Sequence, residues 1–411
     1  MRPQIGGDWL NQNLQRLADF RDLRQPGWTR RSFTPEYAEA RRWIRSLMDT
    51  AGMTTGIDIG GNLFGHRAGE QDDLLLTGSH TDTVPGAGRF DGMLGVLAGI
   101  AVVQAVQEAG RRLKHSLRIY DFLAEEPSVY GVSTVGSRAV SGHLSREMLE
   151  MRGPDGDTLE DGIQRMGGAP SKLKGPIPMP PVAAIVELHI EQGPMLETHH
   201  TQIGIVTGIV GIRRYEVRVT GSPGHAGTTP MDMRRDALVA ASRLIAAVHD
   251  WGRALSGKVV VTAGHISVSP NAINVIPGSV ALGIEARALD STHMDQFEAY
   301  LSEEVQRVER SYSCEIMSKL VTREEPVLMD ATMQKSIAAL CDRQGLSWES
   351  LASWAGHDTV QMAHVTPRRA MIFVPSHLGL SHCPEEWTEP EDVVRGAQVL
   401  LDVIQQLDNE L

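Results

Sequence analysis

Residues 74–92 read "LLLTGSHTDTVPGAGRFDG", and their reading decides the fold. The apolar run Leu74–Leu76 belongs to a strand. It runs straight into a glycine-rich loop holding one histidine, His80, and two aspartates, Asp82 and Asp91. A phosphate-cradling loop needs G-x-G-x-x-G, or a Gly-Lys-Ser/Thr ending that opens a helix. Neither is present, and acidic side chains repel phosphate. A surface turn and half of a metal site are the readings that remain.

The same kind of junction recurs along the chain. The strand segment Leu117–Leu123, "LRIYDFL", runs into Glu125 and Glu126. Val182–Ile190, "VAAIVELHI", carries His189 at its end, and His382 follows a strand at Ala370–Phe373. With Asp73–Thr77, these strands are continuously apolar and are separated by helical or loop sequence such as the helix Gly92–Ala109. That pattern predicts an α/β sheet covered on both faces. Open sheets of this kind place their sites beyond the strand ends. One His or Asp in a glycine-rich turn is ordinarily a turn or cap residue. Four sets of ligand-type side chains at equivalent positions point instead to metal.

The residue types narrow the chemistry. Histidines with carboxylates and no cysteine suit Zn²⁺, Mn²⁺ or Co²⁺. Five ligands exceed one catalytic zinc, which takes three and keeps a position open, so two metals sharing a carboxylate fit the count better. The adjacent Glu125-Glu126 pair then has a physical reason. One can coordinate while its unligated neighbour takes a proton from the attacking water. The alternative for an acidic pair is a solvated strand end.

At 411 residues the chain exceeds what one hydrophobic core usually supports, so two domains are expected. Thr34-Pro35 reads as N-cap and first turn of a helix reaching about Ala51, and 168–181 reads as loop. From Arg213 the pattern changes: "RRYEVRVTG" alternates like a half-exposed antiparallel strand. A helix at about Met233–Trp251, strands near Val259–Ser267 and Ser279–Ala286, and a helix near Met294–Ser311 follow. This β-α-β-β-α order predicts a small α+β domain, 213–327, inserted into a domain made of 1–212 and 328–411. Strand Ala370–Phe373 and a final helix Pro390–Gln406 resume the first style.

An apolar fraction of 41% and a charged fraction of 22% are those of a folded protein. The net charge of −12 argues against nucleic acid or an anionic membrane as partner, while leaving room for a small anionic substrate held by a local Arg. Cys314, Cys341 and Cys383 form neither a disulfide framework nor a zinc knot. The opening "MRPQIGGDWL" lacks a signal-peptide core, and the greasy stretch Met93–Val106 is too short to span a bilayer. A cytoplasmic location is expected.

Seven segments together resemble a known family: "GSHTDTVPGAGRFDG", "AEEPSVYG", "ELHIEQGP", "GSPGHAGTTPMDMRRDA", "SVSPNAINVIPG", "AGHDT" and "MIFVPSHLGLSHCPEE". In this order they are similar to the M20-type metallohydrolases. The branch is the amidase/hydantoinase/carbamoylase group, which contains N-carbamoyl-L-amino acid hydrolases, β-ureidopropionases and allantoate amidohydrolases. The resemblance implies a mixed-sheet, metallopeptidase-like α/β catalytic domain with an inserted lid and dimerisation domain. It implies two divalent ions per subunit held by His80, Asp91 (bridging), Glu126, His189 and His382. Glu125 would be the general base, with Asp82 behind His80. Gln192, Asn274 and Arg287 would grip a substrate carboxylate, and His225 would stabilise the tetrahedral oxyanion.

By resemblance the protein is a homodimer cleaving a linear amide or ureido C–N bond, most readily in an N-carbamoyl-L-amino acid. Allantoate, β-ureidopropionate and N-acyl or dipeptide substrates are the enzymatic alternatives, and an inactive binding protein on the same scaffold is the non-enzymatic one. Taken without the family, Arg287 on its strand reads equally as a salt-bridge partner, and Asn271 and Asn274 as turn residues. By resemblance, His357-Asp358 is a further signature of the family, a structural or supporting pair near the metals. One departure stands out. Pro127, Ser128, Val129 and Tyr130 replace the Gly followed by Ser-Arg-Phe common after the glutamate pair, which puts the particular substrate in question.

Overall fold

A computed structural model describes residues 2–411. The chain divides into two compact units, one made of residues up to Thr207 together with Met329–Leu411, the other of Gly208–Leu328.

The larger unit is built on a mixed sheet. Its strands lie in the order Thr54–Ile57, Leu63–Arg67, His115–Phe122, Gln71–His80, Val182–Ile190, Arg369–Val374 and Ile203–Ile209, with Trp348–Ser353 paired to the last. The four central strands, from His115–Phe122 to Arg369–Val374, run parallel. The flanking ones pair antiparallel. Side chains alternate between two apolar layers, which is why these strands read as continuous apolar runs. Leu75 packs into the layer beneath helix Met93–Glu108. Leu74 and Leu76 enter the opposite layer with Tyr120 and Phe122.

Helix Met93–Glu108 is buried on nearly every side, with Gln104 the exception before Val106. It packs on the sheet beside the C-terminal helix Pro390–Glu410, which covers the same face. Thr34 caps helix Pro35–Thr50 by accepting the Tyr37 N–H, as its sequence predicts. Among the described residues, no helix is long and apolar enough to cross a membrane.

The smaller unit holds an antiparallel sheet in the order Glu315–Glu324, Gly211–Thr220, Ser279–Ala288, Val259–Ser269, with helices Ala237–Ala254 and Ser291–Tyr312 packed against it. The inner face alternates as expected: Tyr215, Val217 and Val219 face Val280, Leu282 and Ile284.

Several elements differ from the sequence reading. The helix expected from Met233 starts at Ala237, because the Asp236 carboxylate takes the N–H groups of Leu238 and Val239 and so fixes the first turn; Met231–Met233 is a separate 3₁₀ turn. Asp290 likewise starts the next helix at Ser291 rather than Met294. Strands Thr54–Ile57, Leu63–Arg67, Ile203–Ile209, Glu315–Glu324 and Trp348–Ser353, and helices Gly7–Ala18 and Ala331–Gln344, have no counterpart in that reading. Apart from Ile203–Ile209, these strands are short or half-polar, so their sequences carry no clean period.

Candidate active site

The carboxyl ends of the central parallel strands converge their polar side chains. Strand Gln71–His80 ends on His80, and His189 lies one residue before the end of Val182–Ile190. Glu125 and Glu126 follow His115–Phe122 by a few residues, with Ala124 between in the left-handed region at φ 51°. Asp91 sits just before helix Met93–Glu108. Its neighbour Gly92 has φ 72°, and a Cβ there would lie 2.4 Å from His80 Nε2. Only glycine allows the helix to begin this close to the imidazole.

Two ligand-type triads share one residue. His80, Asp91 and His189 form the first, and Asp91, Glu126 and His382 the second. Asp91 Oδ1 lies 3.5 Å from His80 Nε2 and 3.1 Å from His189 Nε2. Its other oxygen lies 3.0 Å from His382 Nε2, which is 3.1 Å from Glu126 Oε1. Two donors each ~2.0–2.1 Å from one tetrahedral ion stand about 3.3 Å apart, so these separations match pairs of ligands on a common cation. All but His382 are buried.

The imidazoles are oriented for that role. His80 Nδ1–H donates to the Asp82 carbonyl at 3.0 Å, and His189 Nδ1–H to the Ile190 carbonyl at 2.9 Å. Each bond fixes the tautomer that leaves a lone pair on Nε2, beside Asp91; that of His189 also accepts the Gly92 N–H at 3.1 Å. The electrostatics tell of surplus negative charge. Burial disfavours a charged His80, yet the hydrogen bond to Asp91 and the nearby Glu125 and Asp82 charges lift its pKa well above the usual value. Bonds to Asp91 and Glu126 raise His382 to about 11. Burial opposes the Asp91 charge too, but His189, His382 and His80 outweigh it and hold the carboxyl well below the ordinary range. Cations are what such a cluster is built to neutralise, and the donors present fit them.

Glu125 has a different environment. Its Oε2 is 3.8 Å from His80 Nε2, and it belongs to neither triad. Burial pushes its carboxyl well above the usual range; His80 offsets part of this, while Glu126, Asp358 and Asp82 add repulsion. A carboxylate of raised basicity beside ligand-bearing groups is equipped to take and return a proton.

Asp82 divides its work. The contact nearest His80 Nδ1 comes from its backbone carbonyl, with the carboxylate at 3.7 Å. That carboxylate accepts the N–H groups of Glu125 at 3.2 Å and Glu126 at 3.3 Å, so it fixes the backbone of the glutamate pair. Gln192 donates from Nε2 to Asp91 Oδ2 at 2.7 Å, and its Oε1 is buried without a partner. Gln192 and His382 both have φ 57°, a left-handed conformation that costs a side-chain-bearing residue energy and recurs at functional sites.

The remaining sequence-predicted residues belong to the smaller unit. His225 pairs in register with Val275, one residue past Asn274, and the Asn274 carbonyl accepts the Ala226 N–H. His225 Nδ1 accepts the N–H groups of Gly227 and Thr228, which leaves Nε2–H as a donor. Arg287 Nε donates to Glu285 at 2.7 Å, and Glu285 also binds Arg214.

Sequence reasoning missed Glu386. Almost wholly buried, it accepts the N–H groups of Phe90 (2.7 Å) and Asp91 (3.2 Å) on one oxygen and the Ser381 hydroxyl (2.9 Å) on the other. It thereby ties the Asp91 loop to the His382 loop. Its place four residues after His382 in the quoted "SHCPEE" was the available signal. Glu187 was missed as well; it receives Ser79 and Thr359 beneath the site. The Pro127–Tyr130 stretch forms a tight turn, and Tyr130 is buried with its hydroxyl donating to Asp157 and accepting from Arg165.

Known proteins are similar to this chain over most of their length. An N-carbamoyl-L-amino acid amidohydrolase of Geobacillus stearothermophilus is 36% identical over 406 residues, covering 98% of this chain and 99% of that one. A ureidoglycolate hydrolase of Arabidopsis thaliana is 34% identical, with 95% of this chain and 84% of the relative covered. The crystal structure of an amidase of the hydantoinase/carbamoylase family from Burkholderia multivorans superposes with a TM-score of 0.91 at 33% identity, covering all of both chains. The model of the family described as Peptidase family M20/M25/M40 matches residues 76–406. With its paired triads around Asp91 and these relatives from end to end, the chain is an amide-cleaving hydrolase that belongs to Peptidase family M20/M25/M40.

Proposed function

We propose that the protein hydrolyses N-carbamoyl-L-amino acids to the amino acid, CO₂ and ammonia, using two divalent ions. The observation that supports this most strongly is the shared Asp91, which gives two triads a common carboxylate while Glu125 stays outside both. His80, Asp91 and His189 would hold one ion, and Asp91, Glu126 and His382 the other. When bound, such ions supply Lewis-acid activation of water and of the scissile carbonyl. Glu125 takes the proton from the attacking water and passes it to the leaving nitrogen. Asp82 keeps Glu125 at its post through the backbone bond. His225, whose Nε2–H is free to donate, stabilises the oxyanion, and Asn274, Arg287 and Gln192 bind the substrate carboxylate. The inserted unit carries dimerisation as well as His225, Asn274 and Arg287.

The substrate assignment leans on the Geobacillus relative, and the Arabidopsis relative makes ureidoglycolate the competing reading. The deciding experiment reconstitutes the protein with Zn²⁺, Mn²⁺ or Co²⁺. Ammonia release is then measured across N-carbamoyl-L-amino acids, ureidoglycolate, allantoate, β-ureidopropionate and N-acetyl amino acids. The highest kcat/KM on a carbamoyl amino acid is expected; a preference for any other class overturns the assignment.

A further inference from the structure

The central strands have a second end. Near where Gln71–His80 and His115–Phe122 begin, a cleft of about 330 Å³ opens past the last turns of helices Pro35–Thr50 and Met93–Glu108. That is the size at which small-molecule sites begin, roughly 300 Å³. Strand Gln71–His80 is 10 residues long. Leu117 in the cleft's lining pairs with Leu75, and at ~3.3 Å per residue the stretch from there to His80 spans about 17 Å, so a ligand held here does not touch the His80 cluster.

The lining is one-sided in charge. Arg67, Arg111 and Arg112 border the cleft with His66 and His115, and no carboxylate lines it, in a chain of net charge −12. Arg67 spends one side-chain N–H on the Gly52 carbonyl and Arg112 one on the Gly69 carbonyl; among the described residues the Arg111 guanidinium has no hydrogen bond, and none of the three is in an ion pair. Asp408, the carboxylate bonded to the His115 ring, is already committed to the N–H groups of Lys114 and His115. His66 Nδ1 is buried with no hydrogen-bond partner. The floor is apolar, from Val103, Val106 and Leu117.

Unpaired guanidinium forks above an apolar floor recognise a carboxylate on a hydrocarbon body, because the fork matches the carboxylate and the floor buries the chain. The geometry points to a second binding site, separate from the catalytic one, for a small carboxylic acid with a short hydrocarbon body. Arg111 and Arg112 hold the anion, and the hydrocarbon lies against the floor of Val103, Val106 and Leu117.

The test is calorimetric titration of the metal-loaded protein with 4-methylpentanoate, comparing wild type with R111E/R112E and R111K/R112K. Both arginines are exposed, so neither double variant disturbs the core. Any binding at the metal cluster is common to all three proteins and cancels in the comparison. R111E/R112E is expected to lose one binding equivalent or weaken it at least tenfold, with melting temperature and hydrolytic activity unchanged. R111K/R112K retains the site, and 4-methylpentanamide fails to fill it. Identical isotherms for wild type and R111E/R112E, or an amide that binds as tightly as the acid, overturn the proposal.

Discussion

The two ends of one set of parallel strands carry opposite chemistry. At the carboxyl ends, His80, Asp91, Glu125, Glu126 and His189 gather with enough negative charge to pull buried imidazoles toward protonation. At the amino ends, Arg67, Arg111 and Arg112 surround a cleft with no lining carboxylate. Between them the strands are apolar on both faces, since helices cover both. A sheet buried this way leaves its ends as the places to hold polar groups, so opposite charges are kept apart along the strands.

The sharpest way to break this contrast is at the acidic end. Glu125→Gln is expected to reduce kcat by about 10²–10⁴-fold, the usual contribution of a general base, while metal content by atomic emission stays at the wild-type level. Loss of metal together with activity would instead make Glu125 a ligand. Asp91→Ala should remove both metal equivalents, whereas His382→Ala and His189→Ala should each remove about one. Equal losses in all three would contradict a shared carboxylate.

Smaller effects test how the acidic end is held in place. Glu386→Ala leaves the buried N–H groups of Phe90 and Asp91 without their acceptor, at about 1–3 kcal/mol each, so thermal denaturation of the metal-free protein should occur markedly earlier. Glu386→Gln, which keeps one acceptor oxygen, should be milder. An unchanged melting temperature in the alanine variant would show that the loops do not depend on this clamp. For Asp82→Asn, loss of kcat with metal retention is expected, because His80 is oriented by the backbone carbonyl while Glu125 and Glu126 lose a carboxylate acceptor. Metal loss in that variant would restore the carboxylate as the group that steers His80. Least of all, R111E/R112E at the basic end should alter stability by less than ~0.5 kcal/mol, as surface substitutions do.

Much of this architecture was legible in the residues. Thr34-Pro35 announced its helix, and "VAAIVELHI" matched its strand from Val182 to Ile190. The apolar runs exposed the parallel core because both faces of those strands are buried. Edge strands such as Thr54–Ile57 and Glu315–Glu324 were not legible, since they are part polar and take their form from their neighbours. The caps Asp236 and Asp290 were visible as letters, but which of several acidic residues would cap depended on where the strands before them ended.

The sequence by itself determined the α/β core and pointed to an inserted α+β segment and a set of ligand-type residues beyond strand ends, because periodicity and residue chemistry are local. It could not say that two oxygens of Asp91 face different histidines, that the Asp82 carboxylate serves Glu125 and Glu126, or that Glu386 joins two loops almost three hundred residues apart. Nor could it collect Arg67 with Arg111 and Arg112 around one cleft. Those are distances between segments remote in the chain. They are set by the order in which the strands pair, and only the tertiary structure contains that order.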